Sequence, residues 1–303
     1  MKQELIKKFN RNIYSDVNLS KYSWFNLGGT AELFFKPENK NQLIEFLKDI
    51  REKKLKITIL GAGSNTLIRD NGIKGVVIKL GSNFSKIDLL SQDTIKVGAA
   101  ALDRKISNFA KDNGIGNLEF LSCIPGSIGG AVIMNSGCYG NDISKVLCSI
   151  NVVDIKECKE KKINREEINF FYRGTNLSSG LIITSVVLKG KIAKKETIEN
   201  KLFQMIEQKK QTQPSQIKTC GSTFKNLDNE KKAWQLIKET GCDKFFEGDA
   251  VISEKHCNFF VNNGNANSSD IEKLINKVKQ TVKDKTGVNL ELEIKIIGEK
   301  KKI

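Results

Sequence analysis

Between Phe120 and Gly140 the chain reads FLSCIPGSIGGAVIMNSGCYG. Gly126, Gly129, Gly130, Gly137 and Gly140 fall there together with Pro125, one of only three prolines, and the other positions are mostly small or apolar. Such a stretch is not a linker. Glycine lacks a Cβ and lets a backbone come close to another backbone or to a flat ligand, and the apolar filling places that approach in an interior. Two readings follow: a large ligand lies against this backbone, or a turn is packed tightly beneath a sheet.

The rest of the composition narrows the choice. A chain of 303 residues exceeds what one core usually organises, so two or three domains are expected. No apolar run approaches the ~18 residues that would span a bilayer, and MKQELIKKFNRNIYSD at the N-terminus has no apolar signal segment, which implies a soluble, cytoplasmic protein without a membrane partner. The seven cysteines contain no C-x-x-C pair and read as reduced, mostly buried small hydrophobes. With His256 as the single histidine, no multi-histidine metal site can form, and a Ser-His-Asp relay lacks its usual G-x-S-x-G companion. No metal is expected. The net charge of +15 comes from scattered lysines interleaved with Glu and Asn, a solvated surface whose field would draw in anionic small molecules. A basic stripe with aromatics between is missing, so nucleic acid is not an expected partner.

Along the chain, Leu43, Ile44, Leu47 and Ile50 at helical spacing predict a helix over 37–54 with Pro37 in its first turn. A strand over 55–60 leads into Gly61-Ala62-Gly63-Ser64-Asn65. Thr66 stands where a dinucleotide fingerprint needs its third glycine, and Asp70-Asn71-Gly72 breaks the chain before a helix can start, so a Rossmann device is excluded. Successive backbone N–H groups in such a turn can still form an anion nest. Strands are predicted over 75–80, 94–97, 150–155, 181–188, 250–253 and 257–261, and helices over 102–113, 194–211 and 234–240. A last helix is expected to be capped by Ser268-Ser269-Asp270 and to run to Gly287. A final strand over 290–297 points Leu290, Leu292, Ile294 and Ile296 one way, and Glu291, Glu293 and Lys295 the other. Glu293 then reads as solvated and paired with Lys295.

Taken together, the motifs resemble one family. G-A-G-S-N-T-L-I-x-D-x-G-x-x-G-x-V-I at 61–78, L-E-F-x-x-x-I-P-G-S-I-G-G-A-V-x-M-N-x-G-x-Y-G at 118–140, F-x-Y-R at 170–173, C-G-S-T-F-K-N at 220–226 and G-V-x-L-x-x-E-I-K-x-I-G at 287–298 occur in order. The chain is similar to the UDP-N-acetylenolpyruvoylglucosamine reductases, also called UDP-N-acetylmuramate dehydrogenases, over essentially its full length. Lys295, Leu227 and the pair Trp24-Phe25 depart from the usual pattern, and no tyrosine-bearing insertion follows Gly174, as in the shorter form of the family.

The resemblance implies an α+β fold: a two-part FAD-binding region of the vanillyl-alcohol-oxidase (PCMH) type over about 22–190, its parts being 1–80 and 81–190, and a third α+β substrate-binding domain over 191–303. It implies an enzyme of peptidoglycan precursor synthesis that binds FAD, takes hydride from NADPH and reduces a UDP-sugar enolpyruvate to UDP-N-acetylmuramate, acting as a monomer. Gly61, Ala62, Gly63, Ser64 and Asn65 would take the FAD pyrophosphate. Pro125, Gly126, Ser127, Gly129 and Gly130 would lie against the cofactor. Arg173 and Glu293 would flank the substrate carboxylate and Ser222 would deliver a proton, with Lys225 and Asn226 nearby. Glu293 either carries a proton itself or is hydrogen-bonded to the acid. The alternative from another reaction class is an FAD-dependent oxidase of the same cofactor fold acting on a small alcohol.

Overall fold

The computed structural model describes residues 2–226 and 231–300, and Leu227 falls outside them. Helices and strands alternate in a mixed α+β fold, as expected. The chain divides into two compact units: Met1–Tyr14, Phe34–Ala62 and Val76–Lys209 in one, Ser15–Leu33, Gly63–Gly75 and Lys210–Ile303 in the other.

The first unit is built on a five-stranded antiparallel sheet in the order Lys159–Asn164, Leu147–Asp154, Leu181–Lys189, Thr94–Gly98, Ile87–Ser91. In Thr94–Gly98, Ile95 and Val97 are buried and Lys96 is exposed, the period of two that puts one face of a strand into a core. That core also takes Ile106 from the helix Asp103–Asp112, Phe120 and Leu121 from the turn Glu119–Cys123, and Ile128 and Val132 from the helix Ile128–Ile133. The glycine-rich stretch therefore does pack beneath a sheet with its apolar side chains. Elsewhere in this unit the helix Lys40–Arg51 buries Leu43, Phe46, Leu47 and Ile50, and Phe46 stacks on Phe35 at 3.8 Å. Strand Ile57–Ile59 runs parallel to Val76–Ile78 and delivers the chain to Gly61.

In the second unit the helix Ser268–Thr286 sets Ile271, Leu274, Ile275, Val278 and Val282 into a core shared with Phe224, Ile237 and Phe260. A three-stranded antiparallel sheet, Phe246–Glu247, Ala250–Ile252 and Phe260–Asn262, packs on that helix. Thr66–Ile68 pairs in parallel with Lys295–Ile297. Arg69 grips Glu272 through two bonds of 2.8 and 3.0 Å. Both side chains are largely covered, so these charge-assisted bonds contribute about 1.5–3 kcal/mol, more than a surface pair would.

Several boundaries differ from those expected. The residue capping the last helix is Asn267: its Oδ1 accepts from Asp270 N at 3.1 Å, while Asp270 Oδ2 accepts from Asn267 N at 3.0 Å. Pro37 lies outside its helix, whose cap is Asn39, accepting from Gln42 N at 2.9 Å. The final strand is regular only over Lys295–Ile297. Upstream it pairs through single bridges, Phe224 with Leu292, because residues 223–225 supply the partner backbone there instead of a sheet. The helix Lys2–Lys8 and the strands Ile13–Asn18 and Thr30–Phe35 were not expected at all.

Candidate active site

In the first unit, Gly61 and Ala62 leave the parallel strand pair and Gly61 comes to lie beside Ser127. A Cβ built on Gly61 would meet only Ser127 Oγ, at 3.1 Å, and one on Gly130 would meet only the same oxygen, at 3.8 Å. These two glycines present bare backbone to open space around one hydroxyl, which makes no capping bond to its own helix. Pro125 and Gly130 are exposed whereas Ser127, Ile128, Ala131 and Val132 are buried, so the interior expected for this stretch holds for only part of it. Gly129 has a different reason: its Cβ would stand 3.1 Å from the Ala99 side chain and carbonyl, and its N–H donates to Ala99 O at 2.9 Å. Plain close packing explains it. Gly126 accepts from Asp103 N at 3.2 Å, beside a fully buried Asp103 whose carboxyl burial pushes well above the usual carboxylate range.

Arg173 sits at the turn of a two-rung hairpin in which Phe170 pairs with Thr175 and Phe171 with Gly174. Its φ of 57° is left-handed, a conformation that costs a side-chain-bearing residue about 1–2 kcal/mol. The guanidinium lies 4.9 Å from the Tyr172 ring. A Cβ on Gly174 would fall 2.2 Å from the Phe171 ring, so a side chain there would push that exposed ring aside.

The second unit draws the remaining residues onto one network. Gly63 has φ of 72° and no room for a Cβ, which would lie 1.8 Å from the Tyr22 carbonyl. Trp24 N donates to Gly63 O at 3.1 Å; of the unusual pair, Trp24 is exposed and Phe25 fully buried. Cys220 donates its thiol to the Thr66 carbonyl at 3.4 Å, and burial pushes that thiol up to about 11, so it serves as a structural donor. Asn65 Nδ2 donates to the Glu293 carbonyl at 3.0 Å, Lys295 N to Asn65 O at 2.9 Å, and Glu293 N to Thr223 O at 2.9 Å. Three segments remote in sequence thereby place the turn 63–65, Ser222-Thr223 and Glu293 side by side. Ser222 and Glu293 are both half-buried, so Glu293 is not the solvated strand residue of the simplest reading.

Lys225 N donates to Glu291 O at 2.9 Å, and its ammonium pairs with the Glu291 carboxylate at 3.3 Å. Asn226 Oδ1 accepts from Ala233 N at 3.2 Å, at the start of the helix Ala233–Glu239. In these contacts both residues serve the fold. His256, half-buried, packs against Phe259 at 4.8 Å and accepts from Asn258 N at 3.3 Å, and burial lowers its pKa, the environment of a packed structural histidine.

Two contributors were not picked out from the sequence. Lys79, half-buried, donates from Nζ to the Gly61 carbonyl, and burial with the charge of Lys36 brings its pKa down to about 8. Nothing in a chain of scattered lysines marks it. Asp70 accepts from Ser268 N at 3.0 Å and Ser269 N at 3.4 Å, while Asp70 N donates to Ser268 Oγ at 2.9 Å, so the x-D-x-G part of the first motif caps the last helix. Among the described residues, the backbone N–H groups of Gly61, Ala62, Gly63, Ser64 and Asn65 make no hydrogen bond within the protein.

In the first unit, an open glycine backbone around a hydroxyl, unused N–H groups at Gly61 and Ala62 and a neighbouring lysine suit a dinucleotide with a diphosphate, and a family model described as an FAD binding domain matches residues 31–164: the fold is that of an FAD-binding protein. A second model, the C-terminal domain of UDP-N-acetylenolpyruvoylglucosamine reductase, matches residues 213–297. The UDP-N-acetylenolpyruvoylglucosamine reductase of Pelagibacter ubique is 49% identical, over 98% of this chain and 100% of that protein, and that of Rickettsia bellii 44% identical, over 93% of each. The crystal structure of UDP-N-acetylenolpyruvylglucosamine reductase from Thermus caldophilus superposes with a TM-score of 0.81 at 32% identity, covering 93% of this chain and 98% of that one. The chain belongs to the UDP-N-acetylenolpyruvoylglucosamine reductase family.

Proposed function

We propose that the protein reduces UDP-N-acetylglucosamine enolpyruvate to UDP-N-acetylmuramate at the expense of NADPH, with FAD as its resident cofactor. The observation that carries the chemistry is the network of the second unit, which holds a half-buried serine hydroxyl and a half-buried carboxylate on neighbouring segments beside the turn 63–65. The residues of the first unit fit FAD: bare backbone at Gly61 and Gly130 around Ser127, and unbonded N–H groups at Gly61 and Ala62, for a flat ring system and a diphosphate. Lys79 would stand beside that diphosphate, which would restore its full charge. The family matches at 31–164 and 213–297 fall on either side of residue 190, which supports cofactor binding in the segments 1–80 and 81–190 and substrate binding in 191–303.

The chemistry that FAD supplies when bound is the relay of a hydride from NADPH to the methylene carbon of the enolpyruvyl group. The protein's own part is charge and proton. Addition of hydride leaves an enolate spread over the neighbouring carbon and the carboxylate. Arg173 holds that carboxylate through the fixed fork of its guanidinium, and its strained backbone is the kind of local cost retained at a working site. Ser222 gives its hydroxyl proton to the carbon, a transfer that an enolate is basic enough to accept. Glu293 either donates a hydrogen bond as the neutral acid or orients the substrate acid. The enzyme acts as a monomer in the cytoplasm; among the described residues no helix is long and apolar enough to cross a membrane.

Ser222→Ala tests the assignment in stopped flow. Reduction of the flavin by NADPH should proceed at its ordinary rate, whereas reoxidation by the enolpyruvyl substrate should slow by about a hundred- to ten-thousand-fold. Equal loss in both half-reactions would mean a damaged fold and contradict the proton-donor role.

A further inference from the structure

Two residues beyond the helix Ile128–Ile133 stands Asn135, a buried side chain on a left-handed backbone with φ of 41°. Its amide is used at both ends. Oδ1 accepts from Ser144 N at 3.0 Å, and Nδ2 donates to the Phe171 carbonyl at 3.3 Å. The first contact fixes which way the amide points, since a backbone N–H can only donate, and the second then sets a donor against an acceptor. Phe171 is the residue that pairs with Gly174, so the turn carrying Arg173 starts at the carbonyl that Asn135 holds.

Other contacts converge on the same hairpin. Thr175 Oγ1 donates to the Ile133 carbonyl at 3.4 Å. The Ser144 carbonyl accepts from Arg165 Nε at 2.9 Å, and the Arg165 guanidinium lies 4.6 Å from the Phe170 ring. Asn169 N donates to Asn176 Oδ1 at 2.9 Å and Asn176 N to Asn169 O at 3.1 Å, which closes the base of the hairpin. Both of its strands are thereby tied to the segments that Asn135 joins.

We propose that Asn135 is a positioning residue for Arg173, holding the hairpin where the guanidinium meets the substrate carboxylate. A hairpin of two rungs is marginal by itself. Phe171 and Tyr172 are exposed, so burial of apolar surface adds little there, and the left-handed backbone of Arg173 works against the turn. Polar tethers must therefore set its place, and that of Asn135 comes from a side chain that is itself buried. A bidentate grip tolerates little slack, since a misplacement of about 1 Å is enough to spoil the alignment of reacting groups. The residue type answers two demands at once: a left-handed backbone favours Gly, Asn and Asp, and of these only Asn offers both a donor for Phe171 O and an acceptor for Ser144 N. This task for the M-N-x-G part of the second motif rests on the role proposed for Arg173.

Asn135→Gly keeps the backbone and Asn135→Asp keeps the acceptor; both are compared, as FAD-loaded protein, with Arg173→Lys and with the double variants. Reduction of the flavin by NADPH should run at its native rate in the Asn135 variants. Affinity for the enolpyruvyl substrate, titrated on the oxidised enzyme, and the rate of flavin reoxidation should each fall about five- to tenfold, the worth of one neutral hydrogen bond. UDP, which has no carboxylate, should bind as before. With Arg173→Lys already in place, Asn135→Gly should change substrate affinity by less than about twofold, because a residue that acts through Arg173 has nothing left to position. Losses that multiply in the double variant, equal slowing of both half-reactions, a matching loss of UDP affinity, or normal substrate affinity in both Asn135 variants beside an impaired Arg173→Lys would overturn the proposal. Normal substrate affinity and turnover in Arg173→Lys would instead overturn the role given to Arg173 itself.

Discussion

Arg173 combines two properties that seldom coincide in a surface residue: a left-handed backbone, and a guanidinium stacked by Tyr172 rather than left to solvent. If its role is bidentate, a point charge cannot replace it. Arg173→Lys should lower kcat/KM for the enolpyruvyl substrate by about tenfold or more, the worth of one charge-assisted hydrogen bond, and near-normal turnover would contradict the role. Lys79 makes a prediction of the opposite kind, about protons. Its folded-state pKa of about 8 lies below the 10.5 of an unperturbed lysine, so between those values the unfolded chain binds more protons and stability from this group rises with pH. Relative to Lys79→Met, the unliganded native protein should gain stability from pH 7 to pH ~9.5 in urea titrations; a difference independent of pH would show that the ammonium is not desolvated. At this scale the sequence was an uneven guide. Glycines at 61 and 130 face open space as a ligand site requires, but Gly129 is needed for packing on Ala99, and sequence alone cannot separate the two uses of a missing Cβ.

Elements with a strong period were legible, and those shaped by distant partners were not. The helices Lys40–Arg51 and Ser268–Thr286 announce themselves because four or five apolar residues recur on one face. Thr30–Phe35 is not legible as a strand, since TAELFF mixes a charge into a nearly continuous apolar run, a pattern shared by strands and buried helix turns. Over 290–297 alternation predicts which side faces inward but says nothing about whether a regular partner exists, and regular pairing spans only Lys295–Ile297. The juxtaposition that matters most, Asn65 with Glu293, joins residues 228 positions apart and could come only from the family resemblance or from coordinates. Caps were half legible: Ser268, Ser269 and Asp270 marked the right turn, while Asn267 holds the capping position. Asn267→Ala should cost about 1 kcal/mol in chemical denaturation. No measurable loss would mean that Asp70, which accepts from the same helix start, carries the cap alone.

For the molecule as a whole, family membership and the match to an FAD binding domain both point to reduction by hydride and proton. The positive net charge has a simple use in this setting, since FAD, NADPH and a UDP-sugar are all polyanions. Composition alone could not distinguish that use from a merely soluble surface. The most direct measurement is an anaerobic double-mixing experiment on the holoenzyme, following flavin absorbance. NADPH should bleach the flavin, and UDP-N-acetylglucosamine enolpyruvate added without oxygen should restore its colour with one UDP-N-acetylmuramate formed per flavin. A flavin that stays reduced until oxygen is admitted, and then yields hydrogen peroxide, would contradict the account and mark the protein as an oxidase.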